Sequence, residues 1–154
     1  MSLNKRIREY WKTNGVAPSG GTSGQEIAAF ESEHHVTVPN DLRNFLMEFD
    51  GTRDMAGNDY FRFLPLQEFT SSDKTTAMAF GEAFTTSYPH VPNGFFVFAD
   101  YLQWCYGYAI QLAKDAPQNM VVLIGGLTCP VVANSFSEFI ELYLRDDPKL
   151  HPKV

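Results

Sequence analysis

The segment that most constrains the fold of this chain is residues 38–66, where a helical pattern runs through a polar loop into an aromatic strand. Pro39 suits the first turn of a helix because its missing N–H needs no intrahelical partner there. Four apolar residues follow at spacings of i, i+3, i+4 and i+7, which places them on one helical face. They are Leu42, Phe45, Leu46 and Phe49. Asp50 and Gly51 are predicted to end the helix, and residues 60–64 are predicted to form a strand.

Two helices are predicted before this segment and one directly after it. Residues 3–13 carry apolar side chains at helical spacing. Ser23 and Glu26 match a capping box, in which each side chain bonds the other's exposed backbone N–H, and this box opens a helix that runs to about residue 34. Residues 72–84 are predicted to form the third helix, with its apolar residues on one face.

The second half of the chain is predicted to form a sheet and a closing helix. The strands are residues 95–99, 104–112, 120–124 and a short segment at 131–133. Large and small side chains alternate in the second strand, so one face is predicted to be bulky and the other closely covered. Ser135 and Glu138 form a second capping box ahead of an amphipathic helix. Asp147-Pro148 is predicted to end that helix and leave a frayed tail.

This order of helices, strands and a final helix predicts an α+β fold, with a mostly antiparallel sheet packed against N-terminal helices and a C-terminal helix. A length of 154 residues fits one sizeable core, so residues 1–154 are predicted to form a single domain. The charged N-terminus lacks the apolar run of a secretory signal, and nowhere do about 18 apolar residues follow one another to span a bilayer. These features predict a cytoplasmic protein that has no membrane partner.

Acidic residues are concentrated in one part of the sequence. Residues 26–59 hold eight acidic side chains against two basic ones, while the rest of the chain is balanced. Such a field repels nucleic acid and speeds the encounter with a basic partner, so no nucleic-acid partner is predicted. The alternative interpretation is that these acids only solvate the outer faces of two helices and a loop.

Metal and cofactor sites are not predicted, because the required spacings are absent from the sequence. The four histidines form no HxH or HExxH motif, and neither a glycine-rich phosphate loop nor a nucleophile elbow occurs. Cys105 and Cys129 lack CxxC spacing and are predicted to be reduced, buried small hydrophobes. Asp59 and Asp100 flank aromatic strands. A carboxylate pair formed by folding is the catalytic alternative, although strand-end aspartates usually cap turns.

Three segments resemble the SUKH superfamily, which includes fungal cell-wall assembly regulators and bacterial immunity proteins that neutralise polymorphic toxins. The first is residues 38–66. The second, residues 95–112, is similar to the family's central hairpin, in which an apolar strand ends in Ala-Asp. The third, residues 131–139, is similar to its last strand and capped terminal helix. The likeness covers a core of about residues 25–145, but Tyr101-Leu102-Gln103 stands where the family has a short acidic and glycine-rich turn.

The resemblance implies a non-enzymatic protein-binding module, an immunity protein that neutralises a cognate toxin by direct binding. A regulatory scaffold of the cell-wall assembly regulator type is one alternative, and a carboxylate-dependent enzyme is another. The partner is predicted to be a protein, a basic toxin domain, and the oligomeric state stays open. The predicted contact residues combine negative charge with aromatic anchors. They are Asp50, Asp54, Asp59, Asp100, Tyr101 and Trp104.

Overall fold

Four α-helices and a six-stranded antiparallel sheet make up the part of the chain that the computed structural model describes, residues 1–53, 59–71, 93–125 and 128–151. The helices are α1 (Leu3–Asn14), α2 (Gly24–His34), α3 (Asn40–Glu48) and α4 (Phe136–Leu144). The strands are β1 (Phe61–Phe63), β2 (Thr70–Ser71), β3 (Phe95–Tyr101), β4 (Tyr106–Gln111), β5 (Val121–Ile124) and β6 (Val131–Ala133). Short 3₁₀ helices occupy Leu66–Glu68 and Pro148–Leu150. The predicted α+β class and antiparallel sheet are confirmed.

The sheet has the order β1-β3-β4-β5-β6, and β2 pairs with β3 as well. Strands β3 and β4 are joined by the turn at residues 102–105, and they form the central hairpin. A bulge between Val97 and Ala99 shifts the register of this pair. Because side chains alternate along a strand, Phe61, Phe63 and Tyr108 share the face that α4 covers, whereas Arg62, Asp100 and Gly107 lie on the opposite face.

The core between the sheet and the helices is built largely from aromatic rings. Phe139 of α4 contacts Phe98 and Tyr108 edge to face, with ring centroids 5.0 Å apart in each case. Trp11 of α1 lies 5.0 Å from the ring of Phe49 and 5.8 Å from that of Phe63. Edge-to-face geometry is the arrangement that aromatic quadrupoles favour, so these rings fix the positions of α1, α3 and α4 over the sheet.

Both predicted helix caps are present, but their glutamates bond differently from a capping box. The hydroxyls of Ser23 and Ser135 accept the backbone N–H of the residue three positions later, as predicted. Glu26, however, accepts a hydrogen bond from the Thr22 hydroxyl, and Glu138 accepts the N–H of Asn134 at 2.9 Å. Each glutamate therefore forms a hydrogen bond with the residue that precedes the N-cap serine. This bond fixes the direction in which the chain enters the helix.

Several local predictions are corrected by the structure. The strand predicted from residue 104 begins at Tyr106, because the chain turns through residues 102–105. The tail is not frayed over residues 148–151, since Leu150 is fully buried and its carbonyl accepts the Tyr108 hydroxyl at 2.5 Å. Cys105 is exposed in the turn and Cys129 is half-buried, so neither is a core residue. The helix predicted over residues 72–84 lies outside the described residues.

Candidate binding surface at the hairpin end

The most unusual surface of the molecule is the tip of the central hairpin together with the residue that flanks it from the start of β1. We call it the hairpin end and define it as Tyr60, Tyr101, Leu102, Gln103 and Trp104. The backbone N–H of Leu102 donates to the Tyr60 carbonyl at 2.9 Å, and the N–H of Cys105 donates to the Leu102 carbonyl at 3.2 Å. The first bond joins two segments that are distant in sequence into one surface, and the second closes the turn itself.

The backbone of the hairpin end is strained. Leu102, Gln103 and Trp104 have φ values of 52°, 52° and 67°, and Tyr60 has a φ of 66°. None of them is glycine, and the left-handed conformation costs an L-residue roughly 1–2 kcal/mol. Such strain persists only where the surrounding structure enforces it, and it concentrates at functional sites. The fold therefore holds this turn in a conformation that costs free energy.

Large apolar side chains project from this strained backbone into solvent. The exposed fraction is 54% for Tyr60 and 44% for Leu102. The ring of Tyr101 stacks on the ring of Tyr106, with centroids 4.7 Å apart, and meets the ring of Phe61 edge to face at 5.0 Å. Tyr101 therefore gives this surface a packed aromatic base. Exposed apolar groups on a rigid aromatic base are typical of the hot spots of protein interfaces.

Asp100, near the end of the strand that leads into the turn, has a buried carboxylate. Asp100 has an exposed fraction of 3% and pairs in register with Arg62 of β1 on the face opposite the helices. Burial raises the pKa of Asp100, while the charge of Arg62 and the nearby backbone N–H of Trp104 act in the other direction. The Trp104 ring folds onto the same face, with Cζ3 3.5 Å from where a Cβ on Gly107 would stand. Asp100 therefore lies in the interior and offers little surface for a partner to contact.

Asp59 and Asp50 also serve the interior of the domain. The Asp59 carboxylate accepts the hydroxyl of Tyr143, which in turn accepts the indole N–H of Trp11 at 2.9 Å. Asp50 accepts the backbone N–H of Leu66 at 2.8 Å. Burial raises the pKa of both aspartates, because it penalises the charged form of each carboxylate. Each of these half-buried carboxylates therefore has a hydrogen-bonding role inside the domain.

The comparison with known protein families decides what kind of domain this is. The model of the SMI1/KNR4 family (SUKH-1) matches residues 21–142. The chain belongs to this family. No curated protein sequence matches the chain. SUKH domains are associated with protein–protein interaction, so an exposed apolar turn on this SUKH domain is a feature of the kind that its family would use.

The structure brings together only part of the predicted contact set of this SUKH domain. Tyr101 and Trp104 belong to the hairpin end and are partly exposed. Asp59 and Asp100 lie beside it, but Asp59 bonds to α4 whereas Asp100 faces the other side of the sheet. They therefore do not form the carboxylate pair of the catalytic alternative. Asp100 is buried, so the idea that it presents charge at the surface is corrected, whereas Asp50 and Asp59 are half-buried and stay predicted contact residues. Asp54 lies outside the described residues.

Three residues of the hairpin end, Tyr60, Leu102 and Gln103, escaped the sequence analysis as contact residues, and two of them carry large apolar side chains. Tyr60 appeared only as the first residue of a predicted strand, and Leu102 only as part of an unusual turn. The signal that locates them is the apolar run Tyr101-Leu102 at a position where a hairpin turn is normally polar. The exposed fraction of Leu102 shows that its side chain does not fold back into the core.

Part of the acidic charge of residues 26–59 is paired within the domain. Glu31 forms an ion pair with Arg43 at 3.0 Å and Glu48 forms one with Arg8 at 3.1 Å. Asp41 accepts both the N–H and the hydroxyl of Ser137, at 2.8 Å each, which ties α3 to α4. These contacts favour the interpretation that the acids serve and solvate helix faces, while the net charge of −6 still sets the long-range field of the molecule.

The described surface also has a polar cleft of about 350 Å³. It is lined by Ser19, Asp50, Thr52, Arg53, Arg62, Pro65, Gln67 and Glu68. Arg62 forms an ion pair with Glu68 in its wall, at 3.2 Å, so positive and negative groups largely cancel there. Among the residues that the structure describes, no group of three or more His, Cys, Asp or Glu side chains is placed to hold a metal ion. Within the same residues, no helix has the length and apolar character to cross a bilayer.

Proposed function

We propose that this SUKH domain is a non-enzymatic protein-binding module, an immunity protein that neutralises a cognate toxin by covering a functional surface of that toxin. The observation that carries the proposal is the pair of exposed apolar side chains, Leu102 and Tyr60, held on a strained and internally bonded turn. The whole chain, 1–154, acts as one binding unit in the cytoplasm, and its net charge of −6 favours a basic toxin domain as partner.

The chemistry of the hairpin end suits recognition. Tyrosine and leucine side chains fixed on a rigid backbone lose little conformational freedom when a partner buries them. Tyr60 has a polar hydroxyl and an apolar ring, and its ring lies 6.3 Å from that of Tyr101 in an edge-to-face arrangement. The separation of Asp59 and Asp100 across the sheet supports the non-enzymatic interpretation, because general acid and base groups must meet at a common substrate atom.

The test is co-expression with the product of the neighbouring gene, scored by cell survival and by the Kd of the purified pair. Leu102→Ala and Tyr60→Ala remove the two exposed apolar groups without touching the buried core. We expect each to weaken binding about 30-fold, the effect of losing an interface hot spot worth about 2 kcal/mol. Met47→Ala is the matched control, because Met47 on α3 has an exposed fraction of 50% but lies outside the hairpin end.

Three outcomes separate the possibilities. Survival that is lost with the hairpin-end variants and kept with Met47→Ala supports the proposal. Tight binding by the natural sequence without protection from toxicity favours the regulatory scaffold. Binding that is as tight for the double variant Tyr60→Ala/Leu102→Ala as for the natural sequence removes the hairpin end from the proposal.

A further inference from the structure

The C-terminal segment extends the aromatic surface of the hairpin end. The His151 ring meets the ring of Tyr101 edge to face, with centroids 5.2 Å apart, and its Nδ1 lies 2.5 Å from the Tyr106 hydroxyl. Tyr101 stacks on Tyr106 and lies 6.3 Å from the ring of Tyr60. We call these four rings, Tyr60, Tyr101, Tyr106 and His151, the ring cluster. Three parts of the chain that are distant in sequence therefore form one continuous surface.

His151 also holds a carboxylate at the edge of the ring cluster. Its Nε2 lies 3.1 Å from Oδ1 of Asp146, whose side chain is 80% exposed. The neighbouring Arg145 is paired with a different carboxylate, that of Asp147, at 2.9 Å. Lys149 is exposed, and within the described residues His151 is the one basic side chain that contacts Asp146. Asp146 therefore offers an accessible negative charge beside aromatic rings.

Aromatic faces beside an exposed carboxylate are suited to bind a cation. A tyrosine ring attracts a cation to its face, and the charge of a nearby carboxylate adds to this attraction. Arginine fits such a site better than lysine, because its planar guanidinium can stack on a ring and donate to a carboxylate at the same time. The Tyr60 ring is exposed and Tyr101 is partly exposed, so both are accessible to a partner, whereas Tyr106 is buried.

We infer that the ring cluster and Asp146 together bind an arginine side chain of the partner protein. The rings of Tyr60 and Tyr101 receive the guanidinium group, and the carboxylate of Asp146 pairs with its charge. His151 is a positioning residue, because it contacts both the Tyr101 ring and the Asp146 carboxylate. The inference rests on the proposed function and deepens it, since a basic toxin domain has exposed arginines and the net charge of −6 attracts them.

The first test needs no partner protein. Isotope-labelled protein is titrated with a blocked Gly-Arg-Gly peptide, and the NMR signals of the Tyr60, Tyr101 and His151 rings are followed. We expect these signals to shift saturably, with half-saturation on the order of 10 mM, because cation–π contacts and an exposed ion pair are each weak. The same peptide with citrulline in place of arginine, at equal ionic strength, should shift them far less, because citrulline is neutral.

Two substitutions locate the site. Asp146→Asn removes the charge, and Tyr60→Leu removes an aromatic face but keeps an apolar side chain. Each should weaken binding of the arginine peptide about threefold or more. Glu33→Gln is the matched control, because the Glu33 side chain is 77% exposed and also lies beside a histidine, His34, but on α2 near the start of β3. This control should leave half-saturation unchanged.

The outcomes separate this inference from the proposed function. The absence of shifts, equal shifts with the arginine and citrulline peptides, or an equal loss in Glu33→Gln and Asp146→Asn overturns the arginine site whatever the domain binds. Preferential binding of the arginine peptide that Asp146→Asn and Tyr60→Leu both weaken supports it.

A second test uses the product of the neighbouring gene. If this protein binds, its Kd should rise about threefold or more with Asp146→Asn and stay the same with Glu33→Gln. An unchanged Kd with Asp146→Asn overturns the role of this site in the complex. Failure of the gene product to bind the natural sequence, while the arginine peptide binds as expected, contradicts only the proposed function.

Discussion

At the scale of single residues, the domain places three aspartates where water reaches them poorly. Burial is the largest influence on Asp50, Asp59 and Asp100, and it raises the pKa of all three carboxyl groups. A buried acceptor costs free energy when its partner is removed, so these groups specify local geometry more than they add stability. Because burial raises the pKa of all three, the pH dependence of the free energy of unfolding tests whether they are buried.

The pKa of Asp59 is raised above its ordinary value of 3.8, so just above that value the folded state binds more protons than the unfolded state. Its contribution to stability therefore falls as the pH rises through this window. Relative to Asp59→Asn, the natural sequence should lose stability as the pH rises above 3.8 and until the folded carboxyl group has ionised, by at most about 1.4 kcal/mol for each pH unit. Urea unfolding at several pH values measures this difference.

Asp147→Asn gives a control of opposite sign. The Lys149 backbone N–H and the Arg145 side chain lower the pKa of Asp147, so the stability that this group provides is lost as the pH falls through its folded pKa. The natural sequence should therefore gain stability over this variant as the pH rises. Parallel pH curves for the natural sequence and Asp59→Asn would contradict the burial of Asp59.

At the scale of elements, the C-terminal 3₁₀ helix Pro148–Leu150 closes the core beneath the hairpin. Leu150 has an exposed fraction of only 1%, and the next residue, His151, bonds through Nδ1 to the Tyr106 hydroxyl at 2.5 Å. Asp147 caps this short helix by accepting the N–H of Lys149 at 2.9 Å. The segment is therefore part of the packed domain and supports β4 directly.

Leu150→Ala should lower the free energy of unfolding by about 2–5 kcal/mol, because it leaves a cavity beside Tyr108. Lys149→Ala, at an exposed position of the same element, should change it by less than about 0.5 kcal/mol. Denaturant unfolding followed by circular dichroism measures both values. If Leu150→Ala unfolds at the same denaturant concentration as the natural sequence, the Leu150 side chain is not packed in the core as described.

Local patterns predicted most elements correctly, because helix periodicity and caps depend on neighbouring residues. The predicted helices at residues 3–13 and 23–34 and the strand at 131–133 match the structure closely. The start of β4 was wrong because Trp104 and Cys105 continue the alternation of large and small side chains although the backbone turns there. The burial of Asp100 and of Leu150 depends on Arg62 and Tyr108, residues about 40 positions away, and no local pattern shows such contacts.

At the scale of the whole molecule, charge and apolar contact have separate roles in binding. The net charge of −6 acts over a distance and accelerates the approach of a basic partner, whereas the hairpin end acts only on contact. Long-range attraction is screened by salt, and burial of apolar side chains is not weakened in this way. The two contributions therefore differ in their dependence on ionic strength.

The association rate constant with the proposed toxin partner should fall about tenfold or more between roughly 20 mM and 500 mM salt, while the dissociation rate constant changes little. Leu102→Ala should show the reverse pattern, with faster dissociation and an unchanged salt slope, because it alters no charge. Surface plasmon resonance at several salt concentrations measures both constants. An association rate that is independent of salt would show that the acidic field has no part in the encounter.

The two tryptophans occupy environments that an optical experiment can tell apart. Trp11 is fully buried and donates its indole N–H to Tyr143, whereas Trp104 is partly exposed at the turn. Fluorescence from Trp11 alone, in Trp104→Phe, would follow global unfolding, and fluorescence from Trp104 alone, in Trp11→Phe, would follow capture of a partner. The chain thus carries its own pair of label-free reporters, one for folding and one for recognition.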